Sequence, residues 1–232
     1  MSEEIIILNN VSKKYSPIGR KNKFFALDNI NLAICEGEQV AFLGKNGAGK
    51  THLLKVISGI IHPSCGDVIV KRRVLPIYEY GTILNTELTG RENIYLFGAL
   101  CGVNKQIINE NFSNIANFSE IGDFLDTRLR YYSTGMRFRL VFSTAVFLNP
   151  GIFILDDALA VGDSDFLVKA QTKILELELC KTTLLVASHS NELLKRFCKR
   201  GIVIEKGKIV FSGGINEALE HYSQHQLSKK VF

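Results

Sequence analysis

No apolar stretch in these 232 residues approaches the roughly 20 that would span a bilayer as a helix. The start, Met1-Ser2-Glu3-Glu4, is acidic and lacks the apolar core of a signal peptide. A cytoplasmic protein is therefore expected, with any membrane association coming through a partner. The five cysteines (Cys35, Cys65, Cys101, Cys180, Cys198) are scattered, odd in number and form no C-x-x-C pair. That argues against a zinc site or a disulfide framework and suggests small buried hydrophobes in a reducing compartment. No aromatic-interleaved basic patch or nucleic-acid motif accompanies the net charge of +5, so the clusters Lys71-Arg72-Arg73 and Lys195-Arg196 with Lys199-Arg200 read as solvated faces. No nucleic-acid partner is expected. Internal repeats, low-complexity segments and long linkers are also absent, and no N-K-x-D motif for reading guanine occurs.

With 46% hydrophobic and 22% charged residues, the composition is that of a globular chain. Its most informative stretch is Gly44-Lys45-Asn46-Gly47-Ala48-Gly49-Lys50-Thr51, which follows the apolar run Val40-Ala41-Phe42-Leu43. This is G-x-x-x-x-G-K-T, set where a strand ends and a helix begins. Glycines let the backbone turn tightly and present its N–H groups, so the loop can wrap a phosphate. Lys50 would reach the β- and γ-phosphates, and the Thr51 hydroxyl would ligate Mg²⁺. A turn that binds nothing is the alternative. The strand before the loop and the helical spacing of Leu53, Leu54, Val56 and Ile57 after it speak against that. The chain is read as binding a nucleoside triphosphate.

Strands are expected at Ile5 to Leu8, Ala26 to Ile34, Gln39 to Leu43 and Val68 to Val70, with turns at Glu36-Gly37-Glu38 and Ser64-Cys65-Gly66-Asp67. Residues 86–149 change character. Thr89-Gly90-Arg91-Glu92 has the T-x-x-E form of a capping box, and helical patterns follow around Gln106 to Phe118 and Arg137 to Leu148. The strand run Ile152-Phe153-Ile154-Leu155 then ends in Asp156, a carboxylate at a buried strand's tip and the natural second metal-side residue of a P-loop. Alternating patterns continue at Phe166 to Leu179, Thr183 to Ser188, Asn191 to Cys198, Ile202 to Glu205 and Lys208 to Phe211. That is α/β organisation with a helical insertion, in one folding unit of two lobes over residues 1–232.

In this order the motifs resemble the ATP-binding subunits of ABC transporters. Tyr132-Ser133-Thr134-Gly135-Met136 resembles that family's L-S-G-G-Q signature, and Arg139 sits where its helix carries Arg. Ala160-Val161-Gly162-Asp163 resembles the D-loop, Ser188-His189 the switch-histidine loop, and Tyr15 the aromatic that stacks on adenine. Leu88-Thr89-Gly90-Arg91-Glu92-Asn93, the Tyr-Ser-Thr-Gly-Met signature and Ala158 to Asp163 together are similar to the branch that exports lipid-linked polysaccharides: O-antigen, capsule and teichoic acid. The resemblance implies an α/β P-loop NTPase (RecA-like) core with an N-terminal antiparallel β subdomain and a helical signature subdomain. Some members add a carbohydrate-binding domain, which is not expected within these residues. The implied cofactors are ATP and Mg²⁺. The implied partners are a second copy, making a homodimer of ATPase subunits, and integral membrane permease subunits at the cytoplasmic face of the cell membrane.

By the same resemblance, Tyr15, Gly44, Asn46, Gly47, Ala48, Gly49, Lys50, Thr51 and His52 would bind nucleotide. Ser133 and Gly135 would do so from across the dimer. Thr51, Asp156 and Glu79 would face the metal, while Lys50, Asp157 and His189 would serve hydrolysis. Three positions depart from the family pattern. Asp157 stands where Glu usually orients the attacking water, which implies slow but nonzero hydrolysis unless the backbone compensates. Glu79 replaces the Q-loop glutamine, and His52 replaces a hydroxyl residue. Two other readings stay open: a soluble ABC-type ATPase without transport, and a slowly hydrolysing ATP-dependent dimerisation clamp.

Overall fold

The computed structural model describes residues 3–16, 24–78, 84–157 and 164–228. In chain order the first elements are β1 (Glu4–Tyr15), β2 (Phe24–Cys35), β3 (Gln39–Leu43), α1 (Lys50–Ile57), β4 (Cys65–Val70) and β5 (Val74–Ile77). Helices α2 (Gly90–Leu100), α3 (Lys105–Ser119) and α4 (Thr134–Phe147) follow, then β6 (Ile152–Asp156) and α5 (Ser164–Leu179). The chain continues as β7 (Thr183–Ala187), α6 (Asn191–Phe197), β8 (Arg200–Glu205), β9 (Lys208–Gly214) and α7 (Ile215–Ser228). These form two compact units, one of Met1–Arg72 with Thr183–Phe232 and one of Arg73–Thr182.

The first unit holds two sheets. In one, β1 runs antiparallel to both β2 and β4. Its strands alternate in burial, so one face packs inward and the other meets solvent. In the other, β3 pairs in parallel with β7 and with β8, and β9 closes the edge antiparallel to β8. Every residue of β3 and β7 is buried, which is why they read as unbroken apolar runs rather than alternations. The sheets are joined by polar bonds. Arg200 donates to the Ala33 carbonyl at 3.0 Å and pairs with Glu38 at 3.0 Å, while the Asp28 N–H donates to the Gly207 carbonyl at 2.8 Å.

Two expectations about this unit are corrected. Cys65, Gly66 and Asp67 lie in β4 and not in a turn. Gly66 has φ +85°, and the β1–β4 register shifts between Asn9 and Ser12. The turn-like residues thus serve a bulge inside a strand. The cysteines also divide: in this unit Cys198 is buried, while Cys65 is exposed.

In the second unit, β5 pairs in parallel with β6. Helices α3, α4 and α5 pack around a phenylalanine cluster in which Phe118, Phe138, Phe142 and Phe166 meet one another at ring-centroid distances of 5.6–6.3 Å. Such pairs add stability beyond the area they bury. The capping box is present at α2: the Thr89 hydroxyl accepts from the Glu92 N–H at 3.1 Å, and Glu92 accepts from the Thr89 N–H at 2.8 Å. The region 86–149 singled out in the sequence lies within this unit.

Candidate nucleotide site

Strands β3 and β7 are paired so that Phe42 lies opposite Ala187. Parallel pairing brings their carboxyl ends out together, at the edge where open α/β sheets bind ligands. Leu43 and Gly44 leave one strand there, and Ser188 and His189 leave the other. These four residues, with Asn191, Tyr222 and Ser223, line one cavity of about 230 Å³. His189 is exposed and stands between two serines that order its loop. The Ser190 N–H donates to Ser188 Oγ at 3.2 Å, and Ser190 Oγ caps α6 by accepting from the Leu193 N–H at 3.4 Å.

The loop after β3 is built for close approach. Gly49, the residue preceding α1, has φ +114°, and a Cβ there would lie 2.6 Å from the Ala26 carbonyl oxygen. A Cβ on Gly44 would lie 2.5 Å from the Ile204 carbonyl oxygen. Gly47, at φ +77°, faces open space, so its glycine answers to the turn alone. The Ala48 N–H donates to the Lys45 carbonyl at 3.0 Å, and the Ala48 carbonyl accepts from the Gly207 N–H at 2.8 Å. The tip Lys45-Asn46-Gly47 is exposed, whereas Ala48, Gly49 and Lys50 are buried. Beside the loop, Lys45 to Ala48 and Ile204 to Lys206 line a second cavity of about 370 Å³.

No side chain caps the start of α1, so its first-turn N–H groups and the positive end of its dipole face the loop. Lys50 is 7% exposed and folds back, its Nζ donating to the Gly44 carbonyl at 2.7 Å. The ammonium therefore lies over the turn that the glycines open. Thr51 is half-buried on the first turn of α1. The residues fit a phosphate chain: an uncapped helix start, glycines whose missing Cβ atoms keep backbone close to backbone, and a buried ammonium at the loop.

Tyr15 and His52, both expected at the nucleotide, meet each other. Their rings contact edge to face with centroids 5.5 Å apart, and Lys13 Nζ lies 5.2 Å from the Tyr15 ring centre. Burial, then the Lys55 and Lys13 ammonium groups, holds the His52 imidazole below the usual histidine range. His52 thus stands in the cationic surroundings of α1 as a neutral ring in contact with Tyr15.

In the second unit, Asp156 ends β6 at 2% exposure, and Asp157 follows with the left-handed φ of +48°. Ser133 precedes α4 and accepts from the Met136 N–H at 3.2 Å. Ser133 is exposed and Gly135 half-buried, and a Cβ on Gly135 would meet only Ser133 Oγ at 3.8 Å. The helix start is open to an approaching anion. Arg139 pairs with Glu120 at 3.1 Å and lies over the Phe166 ring, so it acts in packing. Glu79 and the D-loop residues Ala160 to Asp163 lie outside the described residues.

The sequence reading missed three contributors. Tyr222 and Ser223 of α7 line the His189 cavity, and no motif marks them. Gly207, at φ +79°, carries the bond to Ala48, and the Lys206-Gly207-Lys208 hairpin turn was a visible signal for it.

The sequence profile described as "ABC transporter" matches residues 27–160, more than half of the chain. The chain is 38% identical over 202 residues to the O-antigen export system ATP-binding protein RfbB of Klebsiella pneumoniae, covering 87% of this chain and 82% of that protein. It is 35% identical over 232 residues to the teichoic acids export ATP-binding protein TagH of Staphylococcus haemolyticus, covering 94% of this chain and 87% of that one. Among solved structures, the dimeric post-hydrolysis state of the ATP-binding cassette MJ0796 bound to ADP and Pi superposes with a TM-score of 0.78, at 22% identity over 90% of this chain and 98% of that one. That superposition bears on the fold, and it agrees with the expected α/β cassette architecture. Profile, relatives and phosphate-binding loop coincide on the same residues, and the chain belongs to the ABC transporter family.

Proposed function

We propose that this chain is the ATP-binding and hydrolysing subunit of a system that exports a lipid-linked polysaccharide of the O-antigen, capsule or teichoic acid type. The observation that carries the ATPase part is the glycine-bounded turn closing on the uncapped start of α1, with the Lys50 ammonium 2.7 Å from the Gly44 carbonyl. In the bound state Lys50 releases that carbonyl and turns to the phosphates, while the loop and α1 N–H groups hold their oxygens. Support for the polysaccharide part comes from relatives named for O-antigen and teichoic acid export.

Tyr15, held at its edge by His52, offers the adenine a ring face. The Thr51 hydroxyl would hold Mg²⁺ and the Asp156 carboxylate would serve its metal side, each offering the hard oxygen suited to that ion. Asp157 orients the attacking water and His189 contacts the γ-phosphate. Ser133 and the Gly135 N–H, at an open helix start, serve the nucleotide of a second copy, so that the working state is a homodimer. Glu79 is assigned to the metal side or to the coupling surface.

No described helix is long and apolar enough to cross a membrane; the relatives named as ATP-binding proteins of export systems support an integral membrane permease as the partner. The test is recovery of a tagged chain from gently solubilised native membranes. A multi-span membrane protein in equal amount is expected. Recovery from the soluble fraction with ribosomes, DNA or no partner would overturn the transport reading.

A further inference from the structure

Where the L-S-G-G-Q signature begins with Leu, this chain has Tyr132, a large side chain with a polar end. Tyr132 is 4% exposed, and its hydroxyl donates to the Phe124 carbonyl at 2.5 Å. Burial and the Asp126 carboxylate push its pKa up to about 12, so the hydroxyl keeps its proton at neutral pH. The hydroxyl occupies a space that exists for one reason: the residue beside it is Gly90. A Cβ on Gly90 would fall directly on the Tyr132 oxygen and lie 3.1 Å from the Leu125 carbonyl oxygen. Gly90 is the first residue of α2 and has no left-handed φ. Its backbone suits any residue, so here glycine serves space and not conformation.

The same two stretches are also joined through their backbones. The Leu129 N–H donates to the Leu88 carbonyl at 2.9 Å, the Gly90 N–H to the Thr127 carbonyl at 3.2 Å, and the Arg130 N–H to the Thr86 carbonyl at 3.0 Å. Thr89 and Arg128 form an isolated antiparallel bridge, and Arg91 grips Asp126 through two bonds of 2.7 and 3.1 Å. This ladder runs as far as Arg130, three residues before Ser133, the cap of α4. Leu88 to Asn93 and Tyr132 to Met136, separate motifs in the sequence, thus meet where the Tyr132 hydroxyl abuts Gly90.

We propose that Tyr132 is a positioning residue: its hydroxyl, seated in the space left by Gly90, fixes the start of α4 and so aims the Ser133 and Gly135 groups. The functional consequence rests on the proposed role of those groups in binding the nucleotide of a second copy. Movement of the first turn of α2 would press on the Tyr132 hydroxyl and so shift the phosphate-facing helix start with it.

The test uses the full chain and three variants: Tyr132→Phe, Gly90→Ala, and both together. Amide hydrogen exchange at Thr134 to Arg137 is measured first. Loss of a buried hydrogen bond worth about 1 kcal/mol predicts exchange faster by about fivefold in Tyr132→Phe. Gly90→Ala should exceed that. The double variant should be slower than Gly90→Ala, because removing the oxygen relieves the new methyl; this non-additivity identifies the pair. Monomer affinity for a nonhydrolysable ATP analogue with Mg²⁺ should stay as in the parent, while dimerisation driven by the analogue weakens by about the same factor as exchange rises. Exchange equal to the parent in Tyr132→Phe, or multiplicative effects in the double variant, would overturn the lock. Faster exchange with unchanged dimerisation would overturn the positioning role. Should the parent itself fail to dimerise, the functional reading falls, and exchange still decides the lock. Tyr132→Phe alone suffices if Gly90→Ala does not fold.

Discussion

Asp157 shows how a backbone angle bears on a chemical choice. It leaves β6 at φ +48°, a conformation that Asp and Asn adopt more readily than longer residues because their short polar side chains bond locally. The shorter carboxylate is therefore consistent with the chain path as well as with a slower reaction. Substitution Asp157→Glu should raise ATP turnover by bringing the carboxylate closer to the water, and should also lower stability by about 1 kcal/mol through the left-handed backbone. Steady-state phosphate release and thermal melting on one preparation check both; turnover unchanged or reduced would remove the one-methylene argument. The replaced hydroxyl residue His52 meets a different fate. Its neutral ring supports the edge of Tyr15, a role invisible in the sequence because Tyr15 and His52 belong to different elements.

Elements were legible in proportion to how local their causes are. The P-loop, β3, β6, β7 and the α2 capping box could all be read, since a buried parallel strand is an apolar run and a cap is a four-residue pattern. β5 could not: Val74-Leu75-Pro76-Ile77 contains a proline, tolerable where a strand lacks pairing on one side, and its described partner is β6. Helix α7 was also missed. Among its described side chains only Ala218 and Leu219 are buried, and a Cβ on Gly201 would clash with Ala218. The loop-to-helix junction gives the sharpest prediction at this scale. Gly49→Ala places a methyl 2.6 Å from the Ala26 oxygen at φ +114°, a strain of about 1–3 kcal/mol. Nucleotide affinity, measured by titration calorimetry, should fall at least tenfold; affinity like that of the parent would mean the loop relaxes freely.

As a whole molecule, the chain carries a phosphate-binding loop in one unit and an open signature helix in the other. Under the proposed function neither is sufficient alone, and a second copy supplies what each nucleotide lacks. The full chain is expected to be monomeric without nucleotide and dimeric with the ATP analogue and Mg²⁺. Chelation with EDTA should return it to monomer, because Thr51 and Asp156 act through the metal. Light scattering during size-exclusion chromatography checks this, and a dimer indifferent to nucleotide would contradict it.

The uneven burial of the cysteines has a practical outcome. Burial pushes the Cys101 and Cys198 thiols up to about 12, so both resist alkylation at neutral pH, where the thiolate is the reacting species. Cys65 and Cys180 are exposed, and they fall in different units. Each unit thus presents one exposed thiol among its described residues. A donor and acceptor dye placed there would let single molecules report whether the separation of the two units changes when nucleotide is added, once the half-buried Cys35 is replaced.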